Sequence, residues 1–110
     1  MFLATSTASA QACKAEEKWR HEHATAKSET ITTDIAGTRA TRITVCRAQE
    51  SAATALKVEV VFPTSHTPRT LPPGQCTDTL AKWAIVRTQG KKDADGPSVA
   101  MGTYQVCREE

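Results

Sequence analysis

Large rings are scarce in this chain. Phe2, Trp19, Phe62, Trp83 and Tyr104 are its whole aromatic inventory, 5% of 110 residues. Aromatic side chains supply much of the buried area in small domains. A core here must instead be built from Ile, Val, Leu and Ala. A domain of this length already buries only a modest fraction of its surface. Some constraint beyond packing is therefore expected.

Closely spaced cysteine pairs are missing too. A zinc site normally draws two thiolates from one C-x-x-C turn. Cys13, Cys46, Cys76 and Cys107 are instead spread widely and almost evenly. Concentrated charge is also lacking: the formal net charge is +2, and no basic run is longer than Lys91-Lys92. That excludes the clustered phosphate-neutralising signal of a nucleic-acid binder. No stretch approaches the roughly 20 apolar residues of a membrane-spanning helix. The chain carries no G-x-S-x-G, no P-loop and no dinucleotide-binding glycine pattern.

What is present describes one ordered domain. Hydrophobic residues make up 39% and charged residues 24%, close to the globular average, so disorder is not the default. An even number of widely spaced cysteines fits two structural disulfides formed in an oxidising compartment. Four cysteines allow three pairings. The preferred one joins Cys46 to Cys76 and Cys13 to Cys107. Residues 1–12, MFLATSTASAQA, are uncharged and hold two A-x-A patterns, Ala8-Ser9-Ala10 and Ala10-Gln11-Ala12. They read as the remnant of a signal peptide or as a disordered N-terminus, followed by a domain over 13–110. Disulfides and export support each other, and the expected location is secreted or periplasmic.

Residues 11–27 have helical spacing, with Ala12, Ala15, Trp19, His23 and Ala26 on one stripe. This predicts a short N-terminal helix. Beyond it the vocabulary turns to Thr, Ile and Val, which suits strands. Period-two alternation places Ile31, Thr33 and Ile35 on one face, then Ile43 and Val45, then Leu56, Val58, Val60 and Phe62. Further strands are expected over 76–80, 82–88 and 99–107. The fold class is mainly all-β: a small antiparallel sandwich or barrel of five to six strands, disulfide-stabilised. Trp19 and Trp83 could stack on sugars or partners, but with so few rings both are assigned to the core.

Several local clusters invite a chemical role. His21-Glu22-His23 would offer two imidazoles to one metal ion on a strand, but not on a helix, where they diverge by about 200°. With the helix expected, they read as surface histidines and weak metal candidates. Asp93-Ala94-Asp95-Gly96 lacks the later glycine and glutamate of a calcium loop. The adjacent Ser65-His66 pair is no triad, because neighbours on an extended chain point apart. Lys57 and Glu59 fall on the outer face of their strand. No catalytic residue or cofactor emerges.

The leading expectation is therefore a small exported binding or inhibitory domain. It would recognise a protein, such as a secreted hydrolase, or a polysaccharide through loops 63–74 and 90–98. The first loop is stiffened by proline, which lowers the entropy lost on binding. Thr64, His66, Arg69, Lys91, Lys92 and Asp93 are the candidate contacts. Two alternatives stand beside it. One is a small hydrolase or metal-dependent enzyme using His21 and His23, and the other is a structural subunit of an envelope assembly.

Overall fold

A computed structural model describes residues 11–37, 41–49, 56–63, 67–92 and 96–109. Nine strands and no helix are found among them: β1 (Gln11–Cys13), β2 (Glu17–His23), β3 (Thr30–Ala36), β4 (Thr41–Arg47), β5 (Val58–Val61), β6 (Arg69–Thr70), β7 (Cys76–Leu80), β8 (Trp83–Gln89) and β9 (Ser98–Glu109). They form two antiparallel sheets. In the first, β9 is flanked on one side by β4, with β7 beyond it. Its other side pairs with β1 along Cys107–Glu109 and with β2 along Ser98–Tyr104, so β1 and β2 act as one interrupted edge strand. The second sheet runs β3-β8-β5-β6. The order β2-β9-β4-β7 facing β3-β8-β5-β6 is that of an eight-stranded jelly roll, with β1 added.

The expected helix over 11–27 is not formed. Its small alanines imitate a helical stripe, whereas the large side chains alternate. Trp19, His21 and His23 point inward, while Lys18, Arg20 and Glu22 face solvent. A period of two is the strand period. Pairing with the long β9 satisfies this backbone, and tertiary context outweighs the helix propensity of Glu and Lys. The other alternations hold. Ile35, Ile43, Val45, Leu56, Val58, Val60 and Phe62 are buried between the sheets, joined by Leu71, Ala84, Val86, Ala100 and Trp19. Trp83 is the exception. It starts β8 on the outward-facing parity and is 39% exposed, so its assignment to the core is corrected.

Both preferred disulfides are present, Cys13–Cys107 and Cys46–Cys76. Each joins directly opposed residues of neighbouring strands, β1 with β9 and β4 with β7. The first ties a strand, not a helix, to β9. Together they fasten both edges of the same sheet. This compensates for a core with few rings, since a crosslink limits the freedom of the unfolded chain. The bridges are compatible with an extracellular or periplasmic location.

Gly102 explains how Trp19 is seated. The two residues are register partners, and Cys46 lies one strand further on. With no side chain on Gly102, the indole Nε1–H of Trp19 crosses β9 and donates to the Cys46 carbonyl at 3.2 Å. A methyl group on Gly102 would overlap that carbonyl and stand 2.8 Å from Nε1.

Candidate functional site

Strand polarity decides which loops share a surface. The connections β2–β3, β6–β7 and β8–β9 all lie at one end of the sandwich, as the pairings His23–Ser98, Thr30–Gln89 and Cys46–Cys76 require. The connection from β5 to β6 lies at the other end, beside the start of β8. Loop 63–74 is thus divided. Pro63 and Thr67 are at the opposite end from Lys91 and Lys92, and only the part after β6 shares their end. Thr64, His66 and Asp93 lie outside the described residues. Lys91 and Lys92 are exposed.

The portion after β6 is built as a rigid ledge. Leu71 is buried in the core, and its amide donates to the Val58 carbonyl at 2.8 Å. Residues 72–75 form a tight turn closed by Gln75 N–H donating to the Pro72 carbonyl, with Pro73 and then Gly74 at its centre. Gly74 has φ of 78°, the left-handed value the third position of a type II turn requires. The end of β4 holds this turn from below. The Arg47 carbonyl accepts from the Gly74 amide, and the Arg47 amide donates to the Gln75 carbonyl. The Arg47 side chain is 5% exposed and donates to the Leu71 carbonyl at 3.1 Å.

Arg69 does different work from the free contact expected of it. Its guanidinium lies 4.9 Å above the Phe62 ring and donates to the Thr77 hydroxyl and the Asp78 carbonyl, each at 2.9 Å. It clasps the edge strands β6 and β7 together across the two sheets. A shallow polar groove of about 320 Å³ remains beside it, lined by Thr44, Arg69, Cys76, Thr77 and Asp78.

His21 and His23 are not surface groups on a helix. Strand geometry turns both to one face, and each is only 1% exposed. His21 Nε2 meets the Thr33 hydroxyl at 2.7 Å, and His21 Nδ1 meets the Thr88 hydroxyl at 2.9 Å. His23 Nε2 meets the same Thr88 oxygen at 2.8 Å. A neutral imidazole has one donor and one acceptor nitrogen, and a hydroxyl has one proton. Thr88 therefore donates to one ring and accepts from the other. In either arrangement His23 Nδ1 has no hydrogen-bond partner. It faces Gly90, where an added Cβ would stand 2.8 Å away. The Trp19 ring packs on His21 with centroids 5.2 Å apart. Burial first, and then the charge of His23, lower the pKa of His21. Three of the four ring nitrogens are thus spent on threonine hydroxyls. No group of three or more His, Cys, Asp or Glu side chains able to hold a metal occurs among the described residues. The arrangement is a buried network that joins β2 to β3 and β8.

Two other features were not drawn from the sequence. Where β1 gives way to β2, the sheets part to leave a cleft of about 420 Å³ lined by Lys14, Glu17, Asp34, Tyr104 and Val106 among others. On the outer face of the β3-β8-β5-β6 sheet, Thr30, Lys57, Glu59, Arg87 and Gln89 line a groove of about 300 Å³. Alternation along β8 puts Trp83 and Ile85 on the same face as Arg87 and Gln89. Outward alternation at Lys57 and Glu59 was legible in the sequence. Their meeting with β8 required the register.

No protein-family model matches the chain, and no curated protein matches it either. Among solved structures it is similar to a de novo designed double-stranded β-helix studied by solution NMR, at 16% identity and a TM-score of 0.43, over 88% of this chain and 100% of the other. That likeness is too distant to support any argument about function.

Proposed function

We propose that the chain is an exported binding domain that presents a preformed contact surface to a protein or polysaccharide. The supporting observation is the buttressed turn over 72–75. Pro72 and Pro73 are exposed at its crest, while Leu71 and the Arg47 guanidinium are buried beneath it. A surface already ordered in the free protein loses little conformational entropy when it binds. Lys91 and Lys92 extend that surface at the same end of the sandwich. The disulfides hold the sheet that carries β4, from which Arg47 props the turn. Export is the compartment in which those bridges form.

The test is retention on the immobilised, oxidised domain. Fractions of native secreted or envelope proteins and a panel of polysaccharides are passed over the wild type, a K91A/K92A variant and a P72A/P73A variant. The reading expects a partner held by the wild type and weakened by at least one variant. Retention equal in all three would count against the turn and Lys91-Lys92 as the contact surface, and no retention at all would count against the binding reading.

A further inference from the structure

The outer face of the β3-β8-β5-β6 sheet holds an unusual combination. Among the described residues, Trp83 is one of three large apolar side chains left exposed, at 39%. Directly across from it on β3 is Ala36, which does not cover the ring. Ile85 follows, half-buried, between Asp34 on β3 and Val61 on β5. The next row is Thr32, Arg87, Glu59 and Thr70, register partners across all four strands. The last is Thr30 with Gln89, joined by Lys57 in the groove. Apolar ring and polar groove thus lie in line along one strand. Trp83 and Arg87 are four residues apart on it, which is about 13 Å at strand rise.

The charges on this face cancel locally. Arg87 Nη2 is 3.0 Å from Glu59 Oε1, and Lys57 Nζ is 3.6 Å from Glu59 Oε2. Asp34, outward-facing on β3 one row away, adds a second carboxylate, so acid and base are equal in number among these four groups. A polyanion would find its cations already engaged by carboxylate, and a polycation would find no excess of acid. What remains is one partly exposed indole and a row of hydroxyl, amide, carboxylate and guanidinium groups. A pyranose has the complementary surface: a C–H face that stacks on an aromatic ring, and hydroxyls that both donate and accept. Sheet strands fix these side chains more rigidly than loops would.

We propose that this face binds a neutral polysaccharide lying along β8, with one sugar stacked on Trp83 and the following sugars hydrogen-bonded by Asp34, Glu59, Arg87 and Gln89. The proposal rests on the reading of the chain as a binding domain and adds to the loop surface a separate contact on the sheet.

Native affinity electrophoresis tests it, using gels containing a neutral β-glucan, arabinoxylan, galactomannan or dextran, with alginate as the polyanion control. The wild type should be retarded by at least one neutral polymer and not by alginate alone. Trp83→Ala should weaken that retardation about tenfold or more, the loss of a principal anchor. Arg87→Ala should weaken it less, and K91A/K92A should leave it intact. Acrylamide quenching of the unmodified protein gives a second readout, because Trp83 is exposed and Trp19 is buried. The retarding polymer should shield the quenchable indole. Retardation that survives Trp83→Ala, or is lost only in K91A/K92A, would overturn this site while leaving the binding-domain reading intact. Retardation by alginate alone, or by no polymer with quenching unchanged, would overturn the polysaccharide assignment. Protein retention then judges the broader reading separately.

Discussion

Replacing Thr88 by Val isolates the buried histidine network. The two side chains have nearly the same shape, so packing against Val86 and Val58 changes little, but one hydroxyl disappears. That oxygen is shared by His21 Nδ1 at 2.9 Å and His23 Nε2 at 2.8 Å. Both nitrogens would be orphaned in a site where Thr88, His21 and His23 are each 1% exposed. Water has no easy path there. A buried polar group left unpaired costs about 1–3 kcal/mol, so the pair should cost about 2–6 kcal/mol. Thr33→Val is the internal control. It removes one bond, to His21 Nε2, from a half-exposed position where water can substitute. About 1 kcal/mol or less is expected there. Thr88→Ser keeps the hydroxyl and loses a methyl, at about 1 kcal/mol. Urea unfolding with the disulfides intact reads all three as shifts in midpoint at unchanged slope. The reasoning fails if Thr88→Val lies within about 0.5 kcal/mol of wild type, or is no worse than Thr33→Val.

Four further outcomes follow from the same structure. His21 has a folded-state pKa below its ordinary value, so the unfolded chain binds the proton more readily. Its contribution to stability is complete above about pH 6.5 and is lost as pH falls through the lower folded value; unfolding midpoints from pH 8 to 4.5 should decline there, and less steeply in His21→Gln. Removing the Cys13–Cys107 bridge, which spans 94 residues, should cost more than removing Cys46–Cys76, which spans 30, by about 1 kcal/mol on loop-closure entropy; thermal melts of the two paired Cys→Ser variants in the opposite order would contradict this. Gly102→Ala forces a methyl group into the Cys46 carbonyl and the Trp19 indole, and denaturant unfolding should show a loss of about 2 kcal/mol or more. Arg47→Met takes away the donor to the Leu71 carbonyl, and amide exchange at Gly74 should quicken as the turn loosens.

The β character was legible because it resides in local alternation. Leu56, Val58, Val60 and Phe62 face one way whichever strands they pair with, and so do Ile43 and Val45. The preferred disulfide pairing matches the structure, but alternation alone does not choose among the three possibilities, and Cys13 was expected on a helix. Residues 11–27 misled because Ala is neutral evidence: its positions matched a helical stripe while Trp19, His21 and His23 carried the alternation. Trp83 misled through composition, since scarcity of rings does not decide which side of the sheet a ring faces. Its parity with Ile85, Arg87 and Gln89 becomes meaningful only once Ala84, Val86 and Thr88 are known to point inward. The histidine network was out of reach for a different reason. Thr33 and Thr88 lie far from His21 in the chain and are brought to it by packing of one sheet on the other. The division of loop 63–74 between two ends likewise depends on β6, a two-residue strand too short to leave a pattern.

Peptide mapping under non-reducing conditions tests the central claim most directly. Trypsin cuts between every pair of cysteines in this chain. Protein taken from its native compartment should yield the peptide 43–47 linked to 70–82, and the peptide ending at Lys14 linked to 93–108. Free thiols at all four positions, or Cys13 joined to Cys46, would contradict a β scaffold clamped by these two bridges.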